Sequence, residues 1–170
     1  MRRILFVLFT VISFSASAQT TAPVLKFGFL SYDAVLRSMP DYAIVEANMA
    51  LLQEKYAAEQ KRVEDEFNKK YEDFLDGQRD FPQTILQKRQ SELQELMNKN
   101  ITFKKESQRL LAEARKEAMV PLQTRLANAL SKVGNERGLA FILNTDQNAT
   151  PWMNPALGED VTEAVKAALR

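Results

Sequence analysis

The sequence contains no cysteine and no histidine, and it has only five glycines among 170 residues. Without cysteine, no disulfide can stabilise the fold. Without either residue type, neither a zinc site of the usual nitrogen and sulfur ligands nor a Ser-His or Cys-His nucleophile can form. None of the glycines begins a phosphate-binding loop that ends in Lys-Ser/Thr. We therefore predict a protein that is not an enzyme and that uses no cofactor and no metal.

The first 18 residues have the three parts of a secretory signal peptide. Arg2 and Arg3 give a basic start, residues 4–12 are apolar apart from one threonine, and Ala16-Ser17-Ala18 is a small-residue cleavage site. The apolar run is shorter than the about 20 residues that a membrane-spanning helix needs. We predict cleavage after Ala18, export from the cytoplasm, and no stable membrane insertion.

The charge balance argues against nucleic acid as a partner. The chain has 23 basic and 22 acidic residues, and removal of residues 1–18 takes away Arg2 and Arg3. The remaining chain is therefore close to neutral, whereas proteins that bind nucleic acid carry a basic patch or stripe. Near neutrality also gives no support to binding on acidic lipopolysaccharide or membrane surfaces.

Residues 41–134 are predicted to form an arm of two long helices that fold back on each other. The first helix is expected from Asp41 to Asp76, a stretch without glycine or proline that is rich in good helix formers. The second is expected from about Pro82 to Gly134, with the turn between them. In both helices the apolar residues recur at steps of four, three or seven, which is typical of a two-stranded coiled coil.

Pro121 is predicted to be a hinge in the second helix. Antiparallel pairing from the turn places Asp41 opposite about Glu117, so the proline lies just beyond the paired arm. A proline inside a helix removes one backbone hydrogen bond and bends the rod. The alternative is that Pro121 simply ends the helix. Against it, the apolar face continues after the proline, at Leu122, Leu126, Ala129, Leu130 and Val133.

The residues before and after the arm, 19–40 and 135–170, are predicted to form a β-rich body. A strand is expected at 26–32 because aromatic residues alternate there, and Asp33 is expected to cap a short helix after it. Beyond the arm, the apolar run at 139–143 predicts a second strand.

The end of the chain offers weaker signals. Gly138 is expected to end the second long helix in a left-handed conformation. A third short strand is expected at 151–155, although this segment begins and ends with proline. Asp160 and Glu163 have the spacing of a capping box, which predicts a last amphipathic helix.

These elements predict an α+β fold, mostly helical, in which the arm is inserted between the strands of the body. Two or three short strands make a sheet too small to be stable alone. Several bodies are therefore expected to pool their strands in an oligomer. The predicted core of that assembly comprises Phe27, Phe29, Leu30, Phe141 and Leu143.

Three segments of this sequence resemble a known family. They are KFGFLSYDAVLRSMPDY at 26–42, GLAFILNT at 138–145 and DVTEAVKAAL at 160–169, with a signal peptide, a charged hairpin and Pro121 in the expected order. The chain resembles the Skp family, the OmpH-like periplasmic chaperones, over essentially its whole exported length. The resemblance implies a homotrimer with a β-barrel body and three arms around a cavity. It also implies an ATP-independent holdase for unfolded outer-membrane proteins.

A holdase needs adaptable apolar surface, and the arm contains aromatic residues and methionine that can supply it. The residues predicted to contact clients are Phe67, Tyr71, Phe74, Phe81, Ile85, Met97 and Phe103. Phe81 in the turn and Phe103 off the main apolar stripe are the first choices. The alternative is that all seven pack within the seam or the tip of the arm.

Two other functions remain open on the sequence. The hairpin is also compatible with an exported structural or adaptor coiled coil that bridges envelope components. Its discriminating features would be a regular, well-filled seam and a specific patch at the tip, whereas Glu59, Glu66, Asn100 and Lys104 interrupt this seam. An envelope enzyme would require a metal held by carboxylates.

Overall fold

The computed structural model describes residues 25–170, so the predicted signal peptide lies outside the described residues. Most of the described chain is helical, with a small sheet. The elements, in chain order, are β1 Phe27–Leu30, α1 Tyr32–Arg37, α2 Pro40–Gly77, α3 Gln83–Glu136, β2 Ile142–Asn144, a 3₁₀ turn Asp146–Asn148, β3 Gly158–Asp160 and α4 Thr162–Ala168.

The three strands form one parallel sheet with β1 in the centre and β2 and β3 at its edges. Phe29 lies beside Leu143 on one side, and Phe27 lies beside Gly158 on the other. Strands that precede and follow the arm therefore pair, as predicted. The third strand was expected at 151–155 and lies instead at 158–160. Pro151 and Pro155 carry no backbone N–H to donate to a sheet, which disfavours the expected segment.

The core of the body lies on one face of this sheet. Side chains alternate along a strand, so Gly28 and Leu30 point to this face while Phe27 and Phe29 point to the other. Leu30 is buried among side chains of α1, α3 and α4. The buried cluster comprises Leu30, Val35, Leu36, Met39, Met119, Leu122, Leu126, Ala129, Val133, Val161 and Val165.

The two long helices lie against each other along the arm. Contacts run in opposite order along them: the Arg115 guanidinium is 2.5 Å from the Glu46 carboxylate, and the Asn100 amide donates to the Val63 carbonyl at 3.0 Å. At the turn, the ring of Phe81 packs against Gly77 so closely that a Cβ there would lie 2.4 Å from it. A glycine is therefore required at the tip of the arm.

Pro121 lies inside an unbroken α3, so the alternative that it ends the helix is wrong. The helix runs two residues past the expected Gly134 to Glu136, and Gly138 follows with φ +62°. The expected pairing of Asp41 with about Glu117 is also wrong, because Asp41 forms its ion pair with Arg125. Contacts between α2 and α3 thus continue beyond the proline.

Two predicted helix caps differ in the structure. Ser31, not Asp33, caps α1, because its hydroxyl accepts a hydrogen bond from the Ala34 N–H at 3.1 Å. Asp160 accepts from the Thr162 N–H at 2.9 Å, so the carboxylate closes a local turn before α4 instead of a capping box with Glu163.

Candidate functional site

An open apolar groove lies on the distal half of the arm, between α2 and α3. Its volume is about 300 Å³. Phe67 and Tyr71 are one helical turn apart, and their rings stack at 6.0 Å with 7° between their planes. The lining residues, which we call the arm groove, are Phe67, Tyr71, Phe74, Gln90, Leu93, Gln94 and Met97.

The groove is apolar at its floor and accessible at its edges. Phe74 is buried at the interface of the two helices, whereas Tyr71 and Met97 keep 45% and 40% of their surface exposed. Aromatic faces and a flexible thioether adapt to apolar surfaces of different shape. The groove can therefore hold apolar side chains without selecting one of them.

The structure brings four of the seven predicted contact residues together in the arm groove: Phe67, Tyr71, Phe74 and Met97. The other three lie elsewhere. Ile85 is exposed at the start of α3, Phe81 packs on Gly77 at the tip, and Phe103 packs against Tyr56 with 6.3 Å between ring centroids. Of the two first choices, Phe81 is thus packed at the tip of the arm, whereas Phe103 contacts Tyr56 and also lines a separate open pocket on α3.

Charges on the arm are compensated locally. The hydrogen bond from Arg62 lowers the pKa of Glu59, and the same bond raises the pKa of Arg62. Arg109 lies between Glu106 and Glu113, and its pKa is raised mainly by the bond to Glu106. Such pairs join residues three or four apart on one helix. The arm therefore presents alternating signs rather than a field of one sign.

A second apolar surface is the face of the sheet opposite the core. Phe27 and Phe141 stack at 5.6 Å with 12° between their planes, and Phe141 remains 45% exposed. Phe29 and Leu143 lie on the same face and are half-buried. We call these four residues the open sheet face. Leu30 points the other way into the chain's own core, which corrects its place in the predicted assembly core.

Several exposed apolar residues were not identified as site residues from the sequence. They are Ile44, Leu51, Leu75, Ile101, Val120 and Trp152. Ile44 and Leu51 are seven residues apart, and each directly precedes a half-buried apolar residue, Val45 or Leu52. This repeated apolar pair off the seam was the sequence signal for a second surface on α2.

Two further findings concern residues 25–170. In this part of the chain, no cluster of three or more acidic, cysteine or histidine residues is arranged to hold a metal ion. None of its helices is long and apolar enough to span a membrane.

The sequence pattern of the family described as OmpH, Outer membrane protein (OmpH-like), matches residues 26–169. The chain belongs to the OmpH-like family. This match covers the body and the arm together, and it confirms the resemblance predicted from the two ends of the sequence. Membership of the OmpH-like family supports a chaperone role for the chain.

The fold is similar to a solved structure of an OmpH-like outer membrane chaperone candidate from Caulobacter crescentus CB15. The TM-score is 0.68 at 17% sequence identity, and the alignment covers 92% of this chain and 89% of the other. At this identity the likeness establishes the shared fold of the OmpH-like chain. No curated protein sequence matches it significantly.

Proposed function

We propose that this OmpH-like chain is an ATP-independent periplasmic holdase that binds unfolded outer-membrane β-barrel proteins. The arm groove is the observation that carries the proposal. It is an apolar surface that stays accessible, although the neighbouring Phe74 is buried between the two helices. Local ion pairs keep the charged positions of the arm hydrated. A client released from export meets apolar surface on a support that does not collapse onto it.

The chemistry of the groove suits unfolded chains. Exposed Tyr71 and Met97 offer shallow contacts, so many weak interactions replace one tight site. Gln90 and Gln94 line the same groove, and their amides can donate to and accept from client backbone groups. The compensated charges of the arm give little steering by charge. Capture therefore depends on confinement and apolar contact.

Confinement in turn requires several arms, and the open sheet face supports an assembly. Phe141 on this face is 45% exposed in the single chain, although its stacking partner Phe27 is already buried, and burial of the exposed ring favours association. We infer a homotrimer whose bodies join through this face into a β-barrel. Each arm is an antiparallel coiled coil, and the three arms enclose the cavity. Pro121, near the base of the arm, is the proposed hinge.

The test is light scattering of a denatured outer-membrane barrel protein diluted into buffer without nucleotide. The protein under test is the chain from Gln19 onward, shown first to be folded. Suppressed scattering at about one trimer per client is expected, since the cavity would hold one chain. Undiminished scattering would overturn the holdase and favour the structural adaptor.

A variant pair assigns the effect to the groove. Tyr71→Ser with Met97→Ser is expected to weaken suppression several-fold while the melting temperature changes by about 3 °C or less, because both side chains are partly exposed. Leu75→Ser with Ile101→Ser removes two exposed apolar residues outside the groove and serves as the matched control. Equal loss in both variants would contradict a specific role of the groove. Replacing Phe81, which packs on Gly77, by serine should instead lower the melting temperature.

A further inference from the structure

The exposed residues of α2 next to the body are uncharged. Between residues 43 and 53 of α2, every exposed residue is uncharged, whereas most exposed residues from Glu54 to Asp73 are charged. Ile44 and Leu51 are 58% and 52% exposed. We call this segment the root surface. It consists of Ala43, Ile44, Ala47, Asn48, Ala50, Leu51 and Gln53.

The two acidic residues of α2 nearest to the root surface are paired within the chain. Glu46 pairs with Arg115, and Asp41 pairs with Arg125. These two ion pairs place residues 115–125 of α3 at the same height along the arm as the root surface. At that level α3 adds the exposed and uncharged Val120 and its neighbours Pro121, Gln123 and Thr124. The exposed α2 positions at the base of the arm are therefore uncharged, whereas α3 carries the exposed Lys116 and Glu117 at the same level.

Between residues 43 and 53, the root surface covers the sides of α2 that do not face α3. Successive residues of a helix are 100° apart, so Ala43, Ile44 and Gln53 point in widely different directions. A helix that is apolar on all sides is typical of a buried helix, and here only Asn48, Gln53 and the paired Glu46 add polar groups to the exposed sides. A client in a cavity would cover only one side of the arm. Neighbouring copies, placed on both flanks where the arms leave a shared body, would cover the others.

The small area of the open sheet face also favours a second copy of the chain as the partner of the root surface. Strands of three and four residues at about 4.8 Å spacing give a face of roughly 14 Å by 14 Å, or about 200 Å². A specific interface buries about 800 Å² on each partner. The root surface, roughly 17 Å long and 10 Å wide, is continuous with the body and adds to the contact.

We propose that the root surface is an interface with a second copy of this chain. This inference rests on the proposed assembly. The arms are joined along their first three turns and separate where the charged positions begin, near Glu54. The cavity is therefore bounded by the distal arms, and the arm groove lies in that separated part.

The experiment measures the dissociation constant of the assembly by sedimentation. Ile44→Glu with Leu51→Glu is expected to raise it roughly tenfold or more, since an unpaired charge is costly to bury. Leu75→Glu with Ile101→Glu, the distal control, is expected to change it less than about twofold. Both pairs are exposed in the single chain, so helical content by circular dichroism should stay the same. Equal dissociation constants for both variants would overturn this inference and leave the assembly intact. A monomeric wild-type chain would overturn the assembly itself.

A photo-crosslinking residue distinguishes a second copy of this chain from an unfolded client as the partner of the root surface. It is placed at Leu51 and, as control, at Lys69, which lies five turns further along the same side of α2. We expect crosslinks between copies at Leu51 and none at Lys69, with or without an unfolded client. Crosslinks from Leu51 to client alone, in an intact trimer, would assign the root surface to the cavity and refute the interface.

Discussion

Two glycine-to-alanine substitutions in the body should change stability in opposite directions. Gly28 lies in the central strand β1, on the face that carries the core. A Cβ there would lie 2.9 Å from Leu139 Cδ1, 3.1 Å from Val161 Cγ1 and 3.2 Å from Ile142 Cγ1. Leu139 is flexible and half-buried, but Val161 is stiff and fully buried. The added methyl therefore has to displace the start of α4.

The magnitude follows from two opposing effects. Overpacking a well-filled core costs about 1–3 kcal/mol. Alanine reduces the entropy of the unfolded chain, which restores about 0.4–1 kcal/mol. Gly28→Ala should therefore lower the free energy of unfolding by roughly 1–2 kcal/mol. Gly134, in α3, is the control: the nearest atom to an added Cβ is 3.7 Å away. Gly134→Ala should raise the free energy of unfolding by about 0.5–1 kcal/mol.

Urea unfolding followed by far-ultraviolet circular dichroism measures both variants, at one fixed protein concentration because assembly contributes to stability. A Gly28→Ala variant as stable as the Gly134→Ala variant would refute the reasoning. It would mean that β1, β2 and the start of α4 are not packed as closely as these distances require.

Two further predictions concern the body and the hinge. The pKa of Asp146 is held below its usual 3.8, first by the Ser31 hydroxyl and then by the Asp33 N–H. Its contribution is therefore present above about pH 4 and is lost as the pH falls further. Asp146→Asn should lower the melting temperature at neutral pH and reduce the difference from wild type in acid; an unchanged difference in acid would contradict the assignment. Pro121→Ala restores an N–H to the Glu117 carbonyl and should slow hydrogen exchange in the adjoining turns of α3. Unchanged exchange there would argue against a hinge.

The arm was predictable because its signal is local and long. Apolar periodicity over dozens of residues placed α2 within one residue at each end and α3 within two. The strands carry too few residues for such a pattern. β3 is Gly158-Glu159-Asp160, which has no apolar side chain, and it is a strand because β1 offers it a partner. Only tertiary pairing identifies a strand of this kind.

The candidate site was only partly predictable for a related reason. Sequence indicates which positions are apolar, but the rotation of each helix decides which of them face the partner helix. Phe74 is buried while Tyr71, three residues earlier, is exposed. The error at Leu30 was avoidable, because strand alternation separates it from Phe27 and Phe29.

The parallel sheet has a consequence for the order of folding. About 110 residues separate Leu30 from its partner strand β2. Closing a flexible loop of that length costs about 4 kcal/mol in chain entropy, whereas a loop of ten residues costs about 2 kcal/mol. The hairpin forms from contacts close in sequence, and once formed it brings its two ends together. We therefore expect helix pairing in the arm to precede sheet formation, and the sheet to be complete only once Gly158–Asp160 is available to pair with β1. A chain that has formed only its arm still lacks the complete sheet and therefore the open sheet face of the body.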